Sequence, residues 1–177
     1  MRMHVGEYAA DPDRIAIWGD SSGGHTALMA GITAGAYPDN GTFGDVSGRV
    51  SCIVDWYGPT DIGSMNHFPS IMDHIEPASP EGRLIGFKNV ADNPEAAAKA
   101  SPINYIHPET DIPPILIMHG NRDELVCFRQ SVELYRRLKD CGKDVRMVVL
   151  DGAYHGVGGF RCDAALDMVE KYLREKL

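Results

Sequence analysis

The sequence has no apolar run long enough to cross a membrane, no surplus of basic residues and no close pair of cysteines. A spanning helix needs about 20 consecutive apolar residues, so none is expected. With 17 Lys and Arg against 25 Asp and Glu, the formal net charge is −8. That balance speaks against nucleic acid or an anionic membrane surface as a partner, and the acidic residues are dispersed as on a solvated surface. Cys52, Cys127, Cys141 and Cys162 form no Cys-x-x-Cys pair and no Cys/His metal spacing, so neither a disulfide framework nor a metal centre is expected. Met1 to Glu7 carry neither the basic flank nor the apolar stretch of a secretory signal. Reduced thiols in a cytoplasmic protein are therefore the expectation. What remains is an ordinary globular composition, 44% hydrophobic and 24% charged over 177 residues. It allows one domain with a sizeable core, and the chain is too short to expect two.

The pattern along the chain alternates short apolar runs with helical periodicity. The first residues read as the end of a helix finishing near Tyr8. Asp11-Pro12-Asp13 is a turn signal, followed by Ile15-Ala16-Ile17-Trp18, a short apolar run expected to be a buried parallel strand. Gly19-Asp20-Ser21-Ser22-Gly23-Gly24 then leads into a helix from His25 to about Ala34, apolar nearly all round and so expected to be buried. A loop rich in Gly, Asp and Asn (35–48) precedes a second strand, Val50 to Trp56. From Gly58 to about Pro113 the pattern breaks into short pieces, with one short helix expected from Pro94 to Lys99. Such a long strandless stretch usually carries function or covers something. A third strand, Ile115 to Met118, is followed by an amphipathic helix with Phe128, Val132, Tyr135 and Leu138 on one face and Gly142 as its stop. A fourth strand, Val145 to Leu150, precedes a last helix, Asp163 to Leu177, whose face is Ala165, Met168, Val169, Tyr172 and Leu173. Strands alternating with helices predict an α/β fold, a parallel sheet of about four strands covered on both faces.

In such sheets ligands bind beyond the carboxyl ends of the strands, and Ser21, Asp123 and His155 all fall there. Gly19-x-Ser21-x-Gly23, placed between a strand and a helix, holds a serine on a sharp turn, with glycines giving room for the backbone. The N–H of Ser22, at the helix start, is placed to bond a developing oxyanion. A serine hydroxyl needs a base, and the base needs an orienting acid. The order Ser21, Asp123, His155 supplies both in the sequence used by one strand–elbow–helix class of hydrolases. Asp123 has a rival reading as a helix N-cap, and Asp55 and Asp61 are alternative acids. His155 has a rival reading as a surface-loop histidine. His119 reads as a packed histidine bonding a loop and His25 as structural, while His67, His74 and His107 are scattered through the irregular stretch. The run Gly156-Val157-Gly158-Gly159 lacks a lysine and reads as a flexible turn rather than a phosphate cradle. No cofactor and no metal is expected. Met65, Phe68, Ile71 and Met72 suggest an apolar wall beside the pocket.

The phrases Asp11-Pro12-Asp13-Arg14-Ile15, Gly19 to His25 and Asp55-Trp56-Tyr57-Gly58-Pro59-Thr60-Asp61 resemble α/β-hydrolases of the carbohydrate-esterase kind. Ser101-Pro102-Ile103, His119-Gly120-Asn121-Arg122-Asp123 and Tyr154-His155-Gly156 continue the likeness to feruloyl- and acetylxylan-esterase-like enzymes, relatives of the hormone-sensitive-lipase group. The resemblance implies a single α/β-hydrolase domain over 1–177, with a cap-like insertion at about 62–100. It implies a serine carboxylesterase acting on a small-molecule ester, with acetyl or feruloyl groups on carbohydrate as candidates. A peptidase of the prolyl-oligopeptidase type and a non-catalytic remnant acting by association are the alternatives. Family members carry further strands before the nucleophile and a His-Gly-Gly loop that gives a second oxyanion donor. This sequence opens just before the nucleophile strand, so the expectation is an N-terminally truncated fold. The bare edge that results is expected to associate into a homodimer or higher oligomer through residues 1 to 34.

Overall fold

The computed structural model describes residues 2–34 and 46–177. The predicted Gly/Asp/Asn-rich loop lies mainly outside the described residues. Four strands, β1 (Ala16–Asp20), β2 (Cys52–Trp56), β3 (Ile115–Gly120) and β4 (Val145–Leu150), form one parallel sheet in the order β1-β2-β3-β4. Ala16 pairs with Cys52, Ile53 with Ile115 and Ile115 with Val145. The helices are α1 (Val5–Tyr8), α2 (Ser22–Thr33), α3 (Pro80–Leu84), α4 (Pro94–Lys99), α5 (Arg129–Asp140) and α6 (Asp163–Lys176), and 3-10 turns cover Arg2–His4, Ile62–His67 and Pro102–Tyr105.

Side chains of a strand alternate between faces, and that alternation divides the core in two. Ile53, Ile115, Ile117 and Val145 point to one side, where α2 (Ala27, Leu28, Ile32) and α5 (Leu134, Leu138) cover them. Cys52, Val54, Trp56, Leu116 and Met118 point to the other, against Ala165, Val169 and Tyr172 of α6 and against Phe160. The sheet is covered on both faces, as its pattern predicts. The central strands β2 and β3 are buried throughout, whereas the edge strand β1 leaves Trp18 44% exposed.

Several expectations are corrected in detail. β1 continues past Trp18 to Asp20, and α2 begins at Ser22 rather than His25. α2 is not buried all round: Ser22, Thr26 and Ala30, spaced one turn apart, form an exposed stripe. The buried face of α5 is Gln130, Ser131, Leu134 and Leu138, rotated from the predicted one because Gln130 and Ser131 are buried to make hydrogen bonds. Met168 on α6 is exposed. α3 and the 3-10 turns were not predicted; Pro80 opens α3 behind Ser79, whose hydroxyl accepts from the Gly82 N–H as an N-cap. The segment around them has a small core of its own in Ile62, Val90 and Ala97. All four cysteines are free thiols. No helix among the described residues is long and apolar enough to cross a membrane.

Candidate active site

Ser21 sits between the end of β1 and the start of α2 with φ 52° and ψ −122°, a strained backbone that a non-glycine residue rarely adopts. The turn is enforced by steric fit. A Cβ on Gly19 would stand 2.1 Å from the Gly23 carbonyl oxygen, and one on Gly24 would stand 2.3 Å from Asp55 Oδ1. Gly23 itself has room, since its nearest outside atom would be 3.8 Å away. The obligatory glycines are therefore Gly19 and Gly24, a shift from the Gly19/Gly23 pair of the predicted pattern. The Ser21 N–H donates to the Trp56 carbonyl at 2.8 Å, tying the elbow to the end of β2. Ser22 is the first residue of α2, where a backbone N–H has no intrahelical acceptor.

The three predicted residues form one hydrogen-bonded row. Ser21 Oγ lies 2.8 Å from His155 Nε2, and His155 Nδ1 lies 2.7 Å from Asp123 Oδ2. With Nδ1 donating to the carboxylate, Nε2 is left as the acceptor for the serine proton. Asp123 Oδ1 accepts from the N–H groups of Leu125 and Val126, both at 2.9 Å. The carboxylate thus divides its oxygens, one bonding the N–H groups of its own loop and one facing His155. The rival helix N-cap reading does not hold, because α5 starts only at Arg129, with Phe128 at its N-cap. Burial pushes the Asp123 carboxyl up. The hydrogen bonds from His119 and His155, with the charge those rings bear when protonated, outweigh it and hold the group well below the usual carboxylate range.

The alternative acids do other work. Asp61 caps the 3-10 turn that follows it, accepting from the Gly63 N–H. Asp55 lies fully buried under the start of α2 and accepts from the Gly58 N–H, with Oδ2 left without a partner. Burial pushes its pKa up to about 7 against the lowering effect of that one bond. His25 Nε2 donates to the Ala100 carbonyl, and His107 is exposed beside Arg137. His155 is followed by a tight turn in which Gly156, Gly158 and Gly159 have positive φ, closed by a bridge between Tyr154 and Val157. Of the predicted apolar wall, Met65 is buried inside, while Ile71 lines an open hollow with Ser70, Arg122 and Asp123.

Residues 1–138 match the BD-FAE family. The chain belongs to that family. It is 31% identical to Esterase LipQ of Mycobacterium tuberculosis over 88% of this chain and 35% of LipQ. A solved structure described as a truncated form of carbohydrate esterase from gut microbiota superposes with a TM-score of 0.84 at 32% identity, covering 99% of this chain and 64% of that one. The Pyrococcus horikoshii acylaminoacyl peptidase, with a TM-score of 0.70 at 22% identity over 99% of this chain and 26% of that chain, shares the fold. The chain thus spans about a quarter to two-thirds of the lengths of these proteins.

Two residues of this BD-FAE chain stand against the row although the sequence gives them no role in it. Tyr57, at φ 45°, packs its ring edge-on against His155 with centroids 4.8 Å apart, and its hydroxyl donates to Asp20 Oδ2 at 3.0 Å. His119 was read as a packed histidine bonding a loop, and it does donate from Nε2 to the Val126 carbonyl at 3.0 Å. The same nitrogen also lies 3.1 Å from Asp123 Oδ2. Its Nδ1 takes the Ser131 hydroxyl at 2.7 Å, which fixes the ring. The sequence signal was available in part: both residues lie inside the phrases that resemble the carbohydrate esterases.

Proposed function

We propose that the chain is a serine carboxylesterase, with Ser21 as nucleophile, His155 as general base and acid, and Asp123 as the orienting carboxylate. The observation that carries this reading is the unbroken row from Ser21 Oγ through His155 to Asp123 Oδ2, at 2.8 and 2.7 Å. In this reading His155 Nε2 takes the Ser21 proton as Oγ attacks the ester carbonyl. The Ser22 N–H meets the oxyanion, and the imidazolium returns the proton to the leaving alcohol. Asp123 stays ionised throughout and offsets the positive charge on the ring. Water then repeats the cycle on the acyl-enzyme. The names of the relatives, an esterase and a carbohydrate esterase, favour an acyl ester of a sugar or other small alcohol over a peptide, and acetyl and feruloyl groups are the candidates proposed for the acyl part.

The same proposal includes association of two or more copies through residues 1 to 34, because β1 is an edge strand carrying the exposed Trp18. The test of function is covalent labelling of Ser21 by a fluorophosphonate, followed by comparison of p-nitrophenyl acetate with a peptide anilide. Labelling at Ser21 and preference for the ester are expected. Labelling elsewhere, or none, overturns the proposal, and preference for the anilide moves it to a peptidase.

A further inference from the structure

The segment from Ile62 to Ala100 holds a second row of the same residue types. Ser70 Oγ lies 3.0 Å from His74 Nε2, and His74 Nδ1 lies 3.0 Å from Glu81 Oε2. Ser70 also lines the open hollow beside Asp123. The positions of the protons argue against a second nucleophile. The Leu125 carbonyl oxygen stands 2.9 Å from Ser70 Oγ and 3.1 Å from His74 Nε2. A carbonyl only accepts, so Nε2 carries a hydrogen and has no lone pair to take the serine proton. Both side chains donate to the same backbone oxygen.

With Nε2 protonated, a bare Nδ1 lone pair would face a carboxylate oxygen, so the stable state is an imidazolium beside a carboxylate. The side chains of His74 and Glu81 are 2% and 6% exposed, and they meet at ion-pair distance without the alignment of a straight hydrogen bond. Burial pushes the His74 pKa down, and the close approach and negative charge of Glu81, with the Leu125 carbonyl at Nε2, outweigh it and raise it above the ordinary value. A buried pair of this kind is weak evidence for stability, since apolar replacements often serve as well. Its use is in what it holds.

What it holds is the acid loop. The Leu125 and Val126 N–H groups grip Asp123 Oδ1, and the neighbouring Glu124 carbonyl accepts from the Ile71 N–H at 2.8 Å. We propose that Ser70 and the His74–Glu81 pair are positioning residues: by anchoring the Leu125 carbonyl they fix the loop that aims Asp123 at His155. The segment is then a clamp on the triad acid. The proposal rests on the esterase reading only where activity is the readout, because the His155–Asp123 hydrogen bond can be followed without it.

The test compares two double variants of the full chain. His74→Leu with Glu81→Leu removes the donor and leaves no buried charge. His74→Gln with Glu81→Gln also removes the charge and keeps an N–H donor for the carbonyl. Two signals are read: the downfield proton resonance of His155 Nδ1–H, and the rate of fluorophosphonate labelling at Ser21. In the Leu pair the resonance should shift or vanish and labelling should slow by about 100-fold, the scale of a roughly 1 Å misplacement. The Gln pair should restore both. A Leu pair with wild-type resonance and labelling overturns the proposal, as does a Gln pair no better than the Leu pair. If the wild type does not label, the esterase reading falls and the resonance alone decides the clamp. If the Leu pair does not fold, Ser70→Ala removes the other donor at little packing cost, and an unmoved resonance in that folded protein overturns the proposal.

Discussion

The nucleophile elbow and the acid loop do the same job of aiming one side chain, and they do it by different physics. At the elbow, Ser21 is aimed by steric exclusion and backbone bonding. Gly19 and Gly24 have no space for a Cβ, and the Ser21 N–H is tied to Trp56 on the adjacent strand. At the acid loop, Asp123 is aimed by hydrogen bonds. Leu125 and Val126 hold one oxygen, and His119 and His155 reach the other. The loop in turn is held by Ser70 and His74 from a distant segment. The exclusion at Gly19 comes from Gly23, close by in sequence, and that at Gly24 from Asp55 on the adjacent strand, yet both leave a pattern of glycines in the chain. A hydrogen-bonded network joins residues far apart in the chain and leaves no such pattern.

The comparison can be broken at its chemical ends first. Ser21→Ala should remove esterase activity by on the order of a million-fold, as nucleophile loss does in a comparable triad, with the fold kept because the elbow is set by its neighbours. Retention of more than about a hundredth of the wild-type rate would remove Ser21 from the nucleophile role. Asp123→Asn should lower turnover by roughly ten-thousand-fold through the wrong tautomer of His155.

The remaining tests sharpen the contrast through stability. Asp55, the alternative acid, should matter little to turnover and more to the pH dependence of folding. Its carboxyl ionises near 3.8 in the unfolded chain and at about 7 when folded. A raised pKa means that its contribution is most favourable below the unfolded value and is lost as the pH rises through the folded one. Wild-type stability should therefore fall from about pH 4 to about pH 8 by about 4 kcal/mol relative to Asp55→Asn, which has no such titration. Urea midpoints of both proteins across that range measure the difference. Parallel curves would mean that the buried carboxyl is ionised throughout, and a larger loss of turnover for Asp55→Asn than for Asp123→Asn would move the acid to β2.

At the elbow, Gly19→Ala should cost roughly 3 kcal/mol, because the new methyl meets backbone that cannot yield cheaply. Gly23→Ala should be neutral or stabilise by about 0.5 kcal/mol, as alanine replaces glycine in a helix with space around it. Melting temperatures that rank the two the other way would show that the elbow is not held by steric fit. The smallest effect is expected at the β1 edge: static light scattering at micromolar concentration should give a mass above that of one chain, and a stable monomer would defeat the association through residues 1 to 34.

Much of the frame was legible in the sequence because its causes are local and periodic. The apolar runs at 15–18, 50–56, 115–118 and 145–150 announce strands by their shortness and their bounding turn residues, although only β2 and β3 are buried throughout and β1 and β4 carry exposed residues. The helices α2, α5 and α6 follow from their spacing, although the face of α5 was misplaced: a buried Gln130 and Ser131 look like surface residues until their partners Thr60 and His119 are brought to them. The same limit hid α3, whose N-cap Ser79 lies in a stretch without periodicity.

By itself, then, the amino-acid order determined the strand–helix alternation, the elbow at Ser21 and the placing of Asp123 and His155 just past strand ends, because hydrophobic period and the contact of Gly19 with Gly23 operate over a few residues. Only the tertiary structure decided how Asp123 divides its two oxygens, which of Asp55, Asp61 and Asp123 faces His155, that Tyr57 and His119 stand against the row, and that the His74–Glu81 pair reaches the Leu125 carbonyl. Those outcomes depend on burial and on donors meeting acceptors across the fold. Such meetings carry no period in the chain, and they exist only once the sheet has brought its carboxyl ends together.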